Sequence, residues 1–417
     1  MLQIHVDRVR RAQKLMAERN MDAMMLVTHD DYIYFFGEDR FQPRALIPRD
    51  GDPIVITFRG EEAEIRRRFG GTPVKIFSSL AQQMKDVVDI LKERGLQEAT
   101  VGFQMWFETP YFMIELFKKT NPRVTVVDSG PVMDELRKIK EPDELAKMRH
   151  AAELAAIGMR AAAEYIKPGI TENEVAAEIE HAMRKAGGEG VGGPVFVNSG
   201  ERSFWLHGTA TAKRIETGDL VVVDLLPRYE GYLTNLARTF VVGAPNTEQE
   251  RLFDAYYHAQ RAALSAIRPG VKMSEIDRAA WDVITEYGFG EHFVHGMSHG
   301  IGLRFEETPA PTIHPAHVSH RLERGMTVTA GHSVLSVPNI GGVRLEDTLL
   351  VTGDGFEPIT ELPTGLIRLQ PDLGGSAEVP GEPGGAYIYD GALPLDGRET
   401  MVRAGHLHLV ERNAARP

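Results

Sequence analysis

Read from its N-terminus, the chain switches repeatedly between two apolar periods. "VDRVRRAQKLMAERN" carries apolar residues at helical spacing and runs into the unbroken apolar stretch "DAMMLVT", a helix followed by a strand. "RALIPRDGDPIVIT" reads as two strands about a Gly-Asp turn, and "LAQQMKDVVDILKERG" and "YFMIELFKKT" return to helical spacing. Residues 1–134 are therefore predicted as an α/β layer domain. A charged segment then leads into "EPDELAKMRHAAELAAIGMRAAAEYI". There Pro142-Asp143 suits a helix start, and the alanine-rich run to Ile166 suits one long helix.

Beyond that helix the chain echoes itself. "YIKPGITENEVAAEI" (165–179) and "AIRPGVKMSEIDRAA" (266–280) share one order: a helix end, a basic-Pro-Gly turn, and a second helix opened by Thr171 or Ser274. Thr171 with Glu174 fits a capping box. An offset of 101 residues is too long for a solenoid and points to a duplicated half-domain with pseudo-two-fold symmetry, spanning 135–366. After Leu366 the Gly/Pro-rich "PDLGGSAEVPGEPGGA" reads as a connector. "YIYDGALPLDGRETMVRAGHLHLV" then alternates like strands with Asp-Gly turns, a hairpin appendage within 367–417. His406 and His408 share a strand face there and are taken as structural.

Composition narrows the class. Of 417 residues, 42% are hydrophobic and 25% charged, the balance of a globular protein, and a net charge of −12 argues against a nucleic-acid surface. The absence of cysteine excludes disulfides, thiolate metal sites and a Cys nucleophile. The N-terminus lacks a signal-peptide core, and no apolar run nears the roughly 20 residues of a membrane span. A cytoplasmic soluble protein is the expectation, with no membrane or nucleic-acid partner.

Three segments carry chemistry. "VVVDLLPRYEGYLTNLARTFVV" (221–242) reads as a hairpin. A turn centred between Tyr229 and Glu230 would set Asp224 opposite Asn235 on one face. Two carboxylates so opposed need a cation between them, whereas an acid and an amide do not. "HFVHGMSHGIGLRFEETP" (292–309) holds His292, His295 and His299 among glycines, a close-approach turn presenting imidazoles to a cleft. "GMTVTAGHSVLSVPNIGGVRLEDTLLVTGDG" (325–355) reads as two strands joined by a Pro/Gly loop. Arg344 and Glu346 share a face of the second strand, which also fits a plain salt-bridged strand.

Together with "LRKIKEPDELAKMRHAAELA" and "LHGTATAKRIETGDLVVVD", these segments resemble the creatinase/prolidase/methionine aminopeptidase family over roughly 5–365. The likeness is nearer to creatinase and Xaa-Pro peptidases than to methionine aminopeptidase. It implies an α/β (α+β) chain: a creatinase-like N-terminal α/β domain, then a pita-bread domain of two related halves, assembled as a homodimer. Peptidase members hold two metal ions with Asp, Asp, His, Glu and Glu. Position by position, this chain keeps Asp224, His299 and Glu346 and has Asn235 at the second Asp. At the first Glu it reads "TAGH", which gives Gly331 in ungapped register and His332 if a bulge intervenes. Glu306 stands where peptidases carry a His, while Glu307 and Pro309 are retained. His207 and His295 match substrate-contacting positions, and Ala237 falls where creatinase has a carboxylate.

A dinuclear centre has to balance about four positive charges roughly 3.5–4 Å apart, and two of its four carboxylates are missing here. Two expectations follow. One divalent metal (zinc, manganese or iron) sits on His299, His332, Glu346 and Asp224. Alternatively the centre has no metal, and His207 shuttles the proton because imidazole titrates near neutrality. His207, His299 and Glu346 are then the catalytic groups. Asp224, His295, Glu306, Arg344, Tyr232 and Arg44 are the candidate contacts to a small-molecule substrate, Arg40 and Arg44 suiting a carboxylate. The expected activity is hydrolysis of a C–N bond in a small amide-, amidine- or dipeptide-like substrate. An Xaa-Pro metallopeptidase, a lyase working by proton abstraction, and a non-catalytic binding protein are the alternatives.

Overall fold

The computed structural model describes residues 5–40, 42–105 and 109–369, with the backbone of two further strands, Ala386–Tyr389 and Thr400–Val402. The chain divides into two compact units, Met1–Arg137 and Lys138–Pro417. Helix Gly130–Arg137 runs through position 134, so the division falls at its end.

In the first unit a mixed sheet of six described strands runs in the order Val74–Phe77, Ile54–Phe58, Ala45–Pro48, Ala23–Leu26, Thr100–Phe103, Thr125–Asp128. "DAMMLVT" supplies its buried strand Ala23–Leu26, and the Gly-Asp turn joins an antiparallel pair. The two predicted helices are Leu80–Glu93 and Tyr111–Thr120.

The second unit opens with helix Pro142–Tyr165, with Pro142 in its first turn and the Glu141 N–H donating to Glu144 Oε2 at 2.8 Å. Its alanines and Gly158 let it lie close to its neighbours: a Cβ at Gly158 would meet Met183 Sδ at 2.9 Å and Leu225 Cδ1 at 3.0 Å. Two helix pairs, Pro142–Tyr165 with Glu172–Lys185 and Thr247–Ala266 with Met273–Glu286, each pack on their own strands around separate apolar cores. The echo continues past the helices. Thr171 bridges Arg214 and Lys272 bridges Arg321, and the N–H groups of Gly169 and Gly270 both donate at 2.8 Å, to Ile215 O and Leu322 O. The antiparallel pair Leu220–Leu225/Leu236–Val242 corresponds to Thr327–Ala330/Asp347–Val351.

Two local expectations change. The second-half helix is capped at Lys272, not Ser274: Glu275 Oε2 accepts the Lys272 N–H at 2.8 Å. Lysine has no acceptor to return, so only half of the box seen at Thr171/Glu174 is built. The segment 325–355 forms two nested hairpins, with Leu335–Val337 and Gly341–Val343 inside Thr327–Ala330 and Asp347–Val351. Past Leu366, strand Leu366–Leu369 joins the first-half sheet parallel to Leu236–Val242, followed by Ala386–Tyr389 and Thr400–Val402. His406, His408 and the Gly/Pro connector lie outside the described residues.

Candidate active site

The 221–242 hairpin turns at Glu230-Gly231, where φ is +44° and +83°, the backbone a two-residue hairpin turn requires. That sets the register. Tyr229 opposes Tyr232, and Asp224 opposes Ala237 rather than Asn235. The row continues across the halves, because Ala237 and Glu346 exchange backbone hydrogen bonds at 3.1 Å each. Asp224 and Glu346 thus lie on one face, in a row whose middle position is Ala237.

Arg344 fills the space between the two acids. Its guanidinium pairs with Asp224 Oδ2 and with Glu346 Oε2, both at 2.7 Å. It also donates to His332 Nδ1 at 2.9 Å and to Leu206 O at 3.1 Å. Asn235 Nδ2 still reaches Asp224 Oδ1, from the irregular stretch before strand Leu236–Val242. All five side chains are buried.

His332 arrives through a bulge. Gly331 takes φ +106°, and a Cβ there would meet Leu345 O at 1.6 Å. The Tyr256 hydroxyl lies between the carbonyls of Gly331 (2.7 Å) and Ser333, and Gln260 Nε2 donates to Leu345 O at 3.1 Å. His299 comes from the Gly-rich turn, where a Cβ at Gly300 would meet Thr308 O at 2.7 Å. Its Nδ1 donates to Gly300 O at 2.9 Å. Because a carbonyl only accepts, Nε2 is the free ring nitrogen.

His299, His332 and Glu346 are brought within 4.8 Å of one another through their ligand atoms. Glu346 Oε1 lies 3.5 Å from both His299 Nε2 and His332 Nδ1. Burial pushes the Glu346 carboxyl up, but Arg344 and then the two histidines outweigh it and hold it well below the ordinary range. Burial lowers the His299 imidazole, and Glu346 more than compensates, raising it overall. Burial, then the His299 charge, drives His332 down to about 3, so it is neutral. Asp224 is raised to about 6 by burial, which Arg344 only partly offsets.

Two family descriptions cover nearly all of the described chain: metallopeptidase family M24 over residues 146–353, and the creatinase/prolidase N-terminal domain over 8–139. The Xaa-Pro dipeptidase of Pyrococcus furiosus is 33% identical over 361 residues, which is 87% of this chain and 99% of that protein. Among solved structures, the prolidase of Pyrococcus horikoshii superposes with a TM-score of 0.77 at 31% identity, covering 87% of this chain and all of that one. The Xaa-Pro dipeptidase of Bacillus anthracis superposes at 0.78 and 30%, covering 87% and 99%. The chain belongs to metallopeptidase family M24.

The donor set of this M24 member offers two open ligand atoms, His299 Nε2 and Glu346 Oε1, while His332 Nδ1 stands at ligand spacing but accepts from Arg344. Ligands about 2.0–2.2 Å from a tetrahedral metal stand roughly 3.3–3.5 Å apart, the spacing of His299 Nε2 and His332 Nδ1 from Glu346 Oε1. His299 Nε2 and Glu346 Oε1 are buried without a hydrogen-bond partner. A ring nitrogen facing a carboxylate in that way calls for positive charge between them, either a bound cation or the proton that Glu346 favours on His299. A second ion does not fit. Both oxygens of Asp224, a ligand candidate in the sequence, are already engaged: Asn235 takes one and Arg344 pairs with the other.

Other assignments change as well. Arg344 is engaged as an internal counter-ion to Asp224 and Glu346. Tyr232 is 1% exposed and donates to Glu144 Oε1 at 2.9 Å, so it is structural. His207 stands at the rim with its ring 5.6 Å from that of His332. Its imidazole is lowered toward about 4 by partial burial and next by the Arg344 charge, while the residue keeps an exposed surface where solvent screens part of that shift. His295 is 62% exposed, 3.7 Å from Asp277. Glu306 is half-buried with Oε1 3.7 Å from His332 Nε2. Glu307 is consumed by Lys140 at 3.0 Å and by the N–H groups of Leu303 and Arg304. In the first unit, Arg40 is paired with Glu38, Glu61 and Glu64. Arg44 donates to Gln42 O at 2.9 Å and lies over Phe77. Sequence reasoning missed Tyr256, Gln260 and Arg238, the last of which donates to Ala237 O, Glu346 O and Asp347 Oδ1. An arginine inside the apolar strand "LARTFVV" was the available signal for Arg238.

Proposed function

We propose that this chain hydrolyses the C–N bond of a small dipeptide-like substrate, with Xaa-Pro dipeptides the first class to test. The observation that carries this reading is the pair of buried, unpaired atoms His299 Nε2 and Glu346 Oε1, in a chain aligned almost end to end with Xaa-Pro dipeptidases. A divalent ion held by His299 Nε2 and Glu346 Oε1, and by His332 only where Arg344 releases its Nδ1, would polarise the scissile carbonyl and acidify a bound water. The chain's own groups do the rest. The Gly300 carbonyl locks the His299 tautomer. Arg344 keeps Glu346 anionic and, by donating to Nδ1, leaves the His332 proton on Nε2, facing Glu306. Glu306, half-buried with Oε1 3.7 Å from His332 Nε2, would take a proton from the attacking water and return it to the leaving nitrogen. His207, exposed beside His332, is a proposed contact for a polar end of the substrate.

A histidine route without metal is the second reading, favoured by Arg344 already sharing Glu346 and His332 Nδ1. Purified protein assayed on Xaa-Pro, Pro-Xaa and non-prolyl dipeptides and on small amides and amidines, with chelator or with added Mn2+ or Zn2+, separates the two. Turnover of Xaa-Pro that falls on chelation and a loss of about 100-fold or more in Glu346→Gln support the metal reading. Turnover indifferent to chelator supports the histidine route. No turnover under any condition overturns both. A homodimer and a cytoplasmic location belong to the same proposal. Among the described residues no helix is long and apolar enough to cross a membrane.

A further inference from the structure

We propose that Arg344 is a built-in cation that limits this centre to one divalent ion. The guanidinium touches three of the four groups the sequence offered as ligands: Asp224 and Glu346 at 2.7 Å and His332 at 2.9 Å. Asp224's remaining oxygen accepts from Asn235. Only His299 Nε2 and the Oε1 face of Glu346 remain open, since the single Nδ1 lone pair of His332 already accepts from Arg344.

Charge leads to the same limit. Asp224 and Glu346 contribute two negative charges and Arg344 one positive, all buried; the half-buried Glu306 adds one more at the edge. One divalent ion brings the sum from between −2 and −1 to between 0 and +1. A second would leave two or three uncompensated positive charges where water cannot screen them. Arg344 cannot escape this role. A guanidinium does not deprotonate, and the Arg344 backbone is tied to Thr239 by hydrogen bonds at 2.9 and 3.0 Å. Asn235 completes the device, because an amide can donate to the shared carboxylate where an acid would repel it. The inference concerns the ligand set and not the substrate, so a failed dipeptidase assay would leave it standing.

The test is a titration of chelator-stripped protein with Mn2+ and with Zn2+, read by calorimetry and by elemental analysis after desalting, alongside Arg344→Gln. Wild type is expected to take up one ion per chain or none. Arg344→Gln is expected to melt lower in chelator, to recover with Mn2+, and to bind the first ion about tenfold or more tightly, since a neighbouring positive charge is gone. Two ions per wild-type chain overturn the proposal, as does an Arg344→Gln protein matching wild type in both melting and affinity. If Arg344→Gln does not fold even with Mn2+, Arg344→Lys decides the matter. It keeps the charge without the fork, so uptake of no more than one ion supports the proposal and uptake of two defeats it.

Discussion

The Tyr232 hydroxyl spends its proton on Glu144, inside a side chain that has almost no exposed surface. Tyr232→Phe should therefore cost about 1–2 kcal/mol in urea unfolding, the price of a lost buried hydrogen bond to a charged group, with KM unchanged; a raised KM would return Tyr232 to the substrate. Asp254 shows the same physics in a titratable group. Burial, with Glu250 adding to it and His258 opposing, raises its carboxyl to about 6, and its Oδ1 has no hydrogen-bond partner. Between about pH 4 and 6 the folded state keeps a proton that the unfolded chain has lost. Stability therefore falls as pH rises through that window, and the penalty is complete above it. Asp254→Asn should melt higher than wild type at pH 7–8 and lose that advantage below about pH 4; an equal gain at both pH values would refute the assignment. The residue types at the centre were legible from "HGMSHG" and "GGVRLED". The partner of each was not, because Arg344 reads equally well as a solvent-facing strand residue until burial is known.

At the scale of elements, the bulge before His332 rests on one glycine. At Gly331 any side chain would overlap the Leu345 carbonyl, and φ is +106°. Gly331→Ala should therefore lose activity and on the order of 3 kcal/mol of stability; wild-type kinetics and melting would show that the bulge adapts. Helices and most strands were readable, since amphipathic spacing, Pro142 and the Thr171/Glu174 box act over a few residues. Register was harder. The Asp224–Asn235 pairing expected from a turn at Tyr229/Glu230 gave way once the turn centre moved by one residue and Glu230-Gly231 took the positive-φ corner. A shift of the turn centre by one residue moves each cross-strand partner by two, which replaces Asn235 with Ala237 and leaves the same face paired.

Across the whole second unit, the two halves are joined where they build the centre. Arg238 donates from the first half to Glu346 O and Asp347 Oδ1 of the second, and to the carbonyls of Leu362 and Pro363. Arg238→Met should cost about 3–5 kcal/mol, as removal of one member of a buried ion pair does. It should also depress activity without touching a proposed ligand; melting and kcat measured together would expose a purely local role if only one of them moved. The duplication itself was visible in two Pro-Gly turns 101 residues apart. Sequence alone determined the elements, the repeat and the chemical types that meet, because propensity, periodicity and capping are short-range and written in neighbouring residues. Which acid faces which base was decided only by the tertiary structure. Asp224, Arg344 and Glu346 become one buried ion triad with a net negative charge through register and burial, and those depend on strands more than a hundred residues apart and leave no local pattern to read.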